Sequence, residues 1–182
     1  MKRKNVVIGV IGAIILVAIL FAMVSLMSSS ASSKDLVLNV IKLRTNYDDP
    51  VLRAKAITDL NSIVEDIDSS VINEGWRGLA ACIPEGCSDD DYMNFIMSAI
   101  VDQPNAIEHS DVLIEAIKVH RYWGSNTNVI EFSQALTNTN NLINELHFST
   151  AVNVWNRIVE CNGQCEEYDN LFFELIKVIA EL

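Results

Sequence analysis

No stretch of this sequence alternates apolar and polar residues for long enough to make a half-buried strand, so no β-sheet is expected and its periodic segments read as helices. It contains no glycine-rich phosphate loop, no nucleophile elbow and no Asn-glycosylation sequon. Those absences remove the P-loop, dinucleotide and α/β-hydrolase readings. No Cys follows the first apolar stretch, which excludes a lipoprotein. Basic residues are scarce beyond the first four positions. Setting aside Lys2, Arg3 and Lys4 leaves 10 of the 13 Lys and Arg against all 24 Asp and Glu, a formal charge of 10 − 24 = −14. A field of that sign repels phosphate backbones and anionic headgroups, so nucleic acid is disfavoured as a partner.

What is present starts with an apolar run. Val6 to Met27 is interrupted only by Ser25. As a helix it would reach roughly 33 Å, the thickness of a hydrocarbon core. It predicts a single-pass signal-anchor, with residues 1–5 as a basic stub, 6–27 as the transmembrane helix and 28–33 as a Ser-rich linker. The rival is a cleaved signal peptide, but such peptides use a shorter apolar core of about 7–15 residues. Lys2, Arg3 and Lys4 abut the run, so the positive-inside rule puts the N-terminus in the cytoplasm and residues 34–182 outside the cell membrane.

Residues 34–182 predict an all-α domain of about seven or eight helices. Ser33 is placed to cap a helix to about Arg44, and Asp49 with Pro50 to open one ending near Asp68. Further helices are expected at 70–82, 89–102, from Ser110 to Gly124, and at 128–136. Thr137 to Asn141 then reads as a polar interruption before a short piece at 142–146. Helices at 149–161 and from Glu166 to the end complete the chain.

Part of this series repeats. Ser70, Trp76, Leu79 and Cys82 return 79 positions later as Ser149, Trp155, Ile158 and Cys161. The stripe Tyr92, Phe95, Ile96, Ala99 is matched by Tyr168, Leu171, Phe172, Leu175, after a loop shortened by three residues. Trp76 and Trp155 are therefore expected as equivalent core residues of duplicated α-hairpins, stacked in the manner of an α-solenoid.

The four Cys form two local pairs, Cys82 with Cys87 and Cys161 with Cys165, each bracketing an inter-helix loop. In an extracytoplasmic domain this predicts two local disulfides. A four-thiolate zinc site is the rival, but its pairs would have four and three intervening residues where two are favoured. His120, among apolar neighbours, reads as a hydrogen-bonded structural residue. His109-Ser110-Asp111 reads as helix capping rather than a triad. Asp89, Asp90 and Asp91 favour the positive end of a helix and lack the alternating ligands and glycine of a calcium loop. Trp76, Trp123 and Trp155 are expected in the core.

No catalytic residue, cofactor or metal ligand is nominated. The function expected is therefore a membrane-tethered, extracytoplasmic interaction or scaffold module with a protein partner. An extracytoplasmic enzyme or small-ligand-binding protein, and a metal or redox protein using the four Cys, stand as alternatives.

Overall fold

The structure, a computed structural model, describes residues 32–123 and 128–182. The apolar run Val6–Met27 on which the anchor rests, and the expected stop at Gly124, lie outside these residues. Among the described residues no helix is long and apolar enough to cross a membrane.

Among the described residues eight α-helices occur: α1 (Ser33–Thr45), α2 (Pro50–Ile67), α3 (Ser70–Cys82), α4 (Asp89–Asp102), α5 (Ser110–Tyr122), α6 (Val129–Glu145), α7 (Ser149–Cys161) and α8 (Tyr168–Ala180). No strand occurs among the described residues. Local chemistry sets the helix starts. Asp49 accepts from the Val51 and Leu52 amides ahead of Pro50, Ser69 accepts from Ile72 N, and Ser88 and Asp91 form a reciprocal capping box.

Three expectations need correction. Ser32, not Ser33, caps α1, in a box with Asp35. Ser33 is instead fully buried, its hydroxyl 3.1 Å from Ala99 O and 3.0 Å from Gln103 Oε1, which fastens the start of α1 to the end of α4. The supposed break at Thr137–Asn141 is continuous helix α6. Its polar side chains find partners there: Thr139 donates to Ala135 O, Asn138 to Glu115 and Asn140 accepts from Trp155. Once satisfied, they cost the helix little. Finally, no side-chain cap starts α5, where His109 takes a left-handed φ of 60° instead.

The chain packs as two four-helix halves, α1–α4 and α5–α8. The same positions are buried in each. Leu36, Val37, Val40, Ile41 and Leu43 of α1 correspond to Val112, Leu113, Ala116, Ile117 and Val119 of α5. Ala56, Leu60 and Val64 of α2 correspond to Ala135, Thr139 and Ile143 of α6. In α3 and α7 the matched set is Ile72, Trp76, Leu79 and Ala151, Trp155, Ile158. Trp76 and Trp155 are 7% and 2% exposed, and each donates its indole N–H to an Asn 15 residues earlier, Asn61 at 2.8 Å and Asn140 at 2.5 Å.

The halves do not stack end to end. Within each half the outer pair touches, α1 with α4 and α5 with α8. Between halves α1 touches α8 and α4 touches α5. A solenoid confines contacts to successive units, so the contact of α1 with the last helix overturns that arrangement. The four helices α1, α4, α5 and α8 enclose a shared core, flanked by α2/α3 and α6/α7.

Candidate functional site

Both local disulfides are formed. Cys82–Cys87 has a Cα separation of 5.0 Å and Cys161–Cys165 of 5.3 Å, within the bonding range. No cysteine is free. Each loop contains a glycine in left-handed backbone, Gly86 at φ 97° and Gly163 at φ 65°. A Cβ on Gly163 would also overlap the Trp123 indole nitrogen. The loop and that ring are thus fitted to each other.

The residues that make a site are others. The end of α1, the start of α4 and one face of α8 enclose an open cleft of about 580 Å³. Arg44 lines it. Its Nε and Nη2 donate to the two carboxylate oxygens of Asp89 at 2.5 and 3.1 Å, and its guanidinium carbon lies 4.0 Å from the centroid of the Phe173 ring on α8. A bidentate carboxylate below and an aromatic face above fix the plane of the guanidinium. Asp89 occupies the first residue of α4, where the helix dipole favours an anion. Tyr47 ties the following turn to the first disulfide loop by donating to Ile83 O at 2.6 Å.

Tyr92, one turn into α4, also lines the cleft. It is 2% exposed, stands edge-on to Phe173, and its hydroxyl has no hydrogen-bond partner among the described residues. Burial raises its phenol above the ordinary value of 10.0, with the nearby Arg44 cation pulling the other way. On α8, Lys177 and Glu174 reach the same cleft. Glu174 has only a 3.4 Å exposed contact with Arg157, and Lys177 a 4.0 Å contact with Glu181. The lining therefore balances two cations, Arg44 and Lys177, against Asp89 and Glu174.

In the second half the corresponding described residues pack on one another. His120 stands where Arg44 stands, with Nε2 2.7 Å from Asp169 Oδ1 and Nδ1 3.9 Å from Asp90 Oδ1. It stacks on Tyr168 and meets the Phe172 edge. Trp123, at the position of Tyr47, packs on Tyr168 and Phe132 with ring centroids 5.1 Å apart in both pairs. Arg121 on α5 donates to Asn94 on α4. The half-buried Trp123 packs with this cluster, and His120 holds a hydrogen bond to Asp169 within it.

Chemically the open cleft offers hydrogen-bond donors and fixed charge. Its carboxylate of shortest reach, Asp89, is already engaged by Arg44. Sequence reasoning gave Arg44, Asp89 and Tyr92 structural places only and did not single out Lys177; the four lie on three different helices. The usable signal was the register: Arg44 precedes Tyr47 as His120 precedes Trp123, in two helices whose apolar stripes coincide. No protein-family model matches the chain, and no curated protein or solved structure matches it either.

Proposed function

We propose that this chain is a single-pass, signal-anchored membrane protein whose acidic helical domain works outside the cytoplasm as an interaction module. The observation that carries the reading is the pair of disulfides, since reducing compartments do not keep such bonds. Lys2, Arg3 and Lys4 ahead of the apolar run support the orientation, and cleavage after the run would deliver the domain to the same side. The two halves read as copies of one four-helix unit, with matched burial and a matched Trp–Asn bond. Each copy also exposes an aliphatic side chain in the first turn of its second helix, Val51 at 74% and Ile130 at 79%. Leu52 beside Val51 and Val129 beside Ile130 are exposed as well, so each copy carries an aliphatic pair that a protein partner would cover.

Topology is the direct test. Protease added to intact cells should remove the domain while a reporter fused after Leu182 stays silent in the cytoplasm. An active cytoplasmic reporter, with free thiols recovered from the cell, would refute the reading. Crosslinking in native membranes should then yield a discrete partner.

The cleft at Arg44 favours a second reading, a module that also binds a small solute.

A further inference from the structure

The geometry points to the Arg44 cleft as a binding site for a small zwitterionic solute of the free amino-acid class, its carboxylate held by Arg44, Tyr92 and Lys177 and its ammonium by Glu174. This goes beyond the interaction-module reading and does not depend on the topology of the chain. Four observations carry it.

The first is the unused donor set. Asp89 occupies Nε and Nη2 of Arg44, leaving Nη1 for another acceptor, in a guanidinium already clamped between Asp89 and Phe173. The second is the Tyr92 hydroxyl, nine-tenths and more buried at the cleft wall and without a partner. Buried hydroxyls are rarely left so, and an acceptor in the cleft would satisfy it. The third is charge. A domain of formal charge −14 repels a free anion, and a zwitterion carries no net charge to be repelled. The lining is zwitterionic in the same sense, two cations facing two carboxylates, so each end of such a solute meets its opposite. A volume of about 580 Å³ lies in the range of small-molecule sites, about 300–1,000 Å³.

The fourth is internal comparison. The same seam in the second half is packed with Trp123, Tyr168 and His120, and Arg121 is spent on Asn94. The other copy keeps Arg44 and Lys177 on an open cleft, with Tyr92 buried in its wall.

Calorimetry on the full chain in detergent should test each common free L-amino acid, followed by the deaminated acid and the decarboxylated amine of the best binder. Saturable binding is expected for the amino acid, about tenfold or more weaker for either truncated analogue. Tyr92→Phe, which removes a hydroxyl that bonds nothing in the free protein, should keep the helical circular dichroism and weaken binding about tenfold. Lys177→Met, at an exposed position, should weaken it less, and Arg44→Gln most. Three results would overturn the proposal: no saturable binding by any amino acid, equal binding of the deaminated acid, or affinity unchanged in Tyr92→Phe.

Discussion

Replacing both cysteines of one loop by alanine separates what the bridge does from what the loop packing does. Cys82 and Cys87 lie 5 residues apart, and Cys161 and Cys165 lie 4 apart. In the loop-closure account, tying such short segments removes about 2 kcal/mol of denatured-state freedom per bridge, so about 4 kcal/mol for the two. All four cysteines are only half-buried, so truncation to alanine adds little cavity cost. The second loop should nevertheless lose more than the first. Gly163 lies beneath Trp123, and a loosened loop also gives up that ring's packing against Tyr168 and Phe132. Domain stabilities of about 5–15 kcal/mol leave the four-fold alanine variant folded but marginal. Urea unfolding followed by helical circular dichroism should show each midpoint falling by about 1 M, at a slope near 2 kcal/mol per M. The reasoning fails if the variant lacking all four cysteines keeps the parent midpoint. It fails equally if losing Cys82–Cys87 costs more than losing Cys161–Cys165.

Other perturbations read other parts of the structure. Trp155→Phe deprives the half-buried Asn140 oxygen of its donor and should destabilise by about 2–3 kcal/mol; a double-mutant cycle with Asn140→Ala should show coupling, and strict additivity would deny the bond any role. Gly163→Ala, which combines a φ of 65° with overlap on Trp123, should lower the melting temperature, whereas Gly78→Ala, in open space within α3, should raise it by gaining about 0.5–1 kcal/mol. Burial raises the Tyr92 and Tyr168 phenols above 10.0, so the folded state holds their protons more tightly than the unfolded chain does. Stability from these groups is whole below pH 10 and falls as pH rises past it; Tyr168→Phe should flatten that alkaline decline in pH-dependent melts. Asp91 runs the other way: the Ser88 side chain and then the Ser88 amide hold it below 3.8, so its contribution is whole above that value and lost as pH falls. Ser88→Ala, which keeps the backbone amide, should reduce that acid sensitivity without abolishing it.

The helices were legible because their apolar stripes recur at three and four residues, and the α3/α4 and α7/α8 correspondence because Trp and Cys are rare enough to be noticed. The matching of α1 with α5 and α2 with α6 escaped notice for the opposite reason. A core accepts Leu36 or Val112, Leu60 or Thr139, at the same buried place, so identity fades while burial persists. A few identities did survive, Ile41 with Ile117, Ala56 with Ala135 and Asn61 with Asn140, and the two Asn each precede their Trp by 15 residues. The Thr137–Asn141 stretch misled because polarity alone cannot reveal that Trp155 and Glu115 wait across the packing. Arg44 and Asp89, 45 residues apart, form a pair only once α1 lies against α4.

The contacts between halves also decide what each half would do alone. Exchanging the halves turns the α1–α8 contact into the α5–α4 contact, and both exist. That reciprocity is the property of an isologous interface, in which two copies bury the same face and none is left over. An end-to-end stack would leave one open face at each end, which is why solenoids need several repeats and caps. Two units close on themselves and need neither. A fragment covering residues 32–104 keeps α1 and α4, hence both sides of the seam, with the surfaces that α8 and α5 cover left open by the missing partner. Such a fragment should pair with a second copy of itself and stop there. Light scattering behind size exclusion should find a dimer at micromolar concentration, losing helicity on dilution as dissociation exposes those faces. A stable helical monomer would mean the seam contributes little. A ladder of larger species would mean the contact is head-to-tail, and the closed arrangement of α1, α4, α5 and α8 would have to be given up.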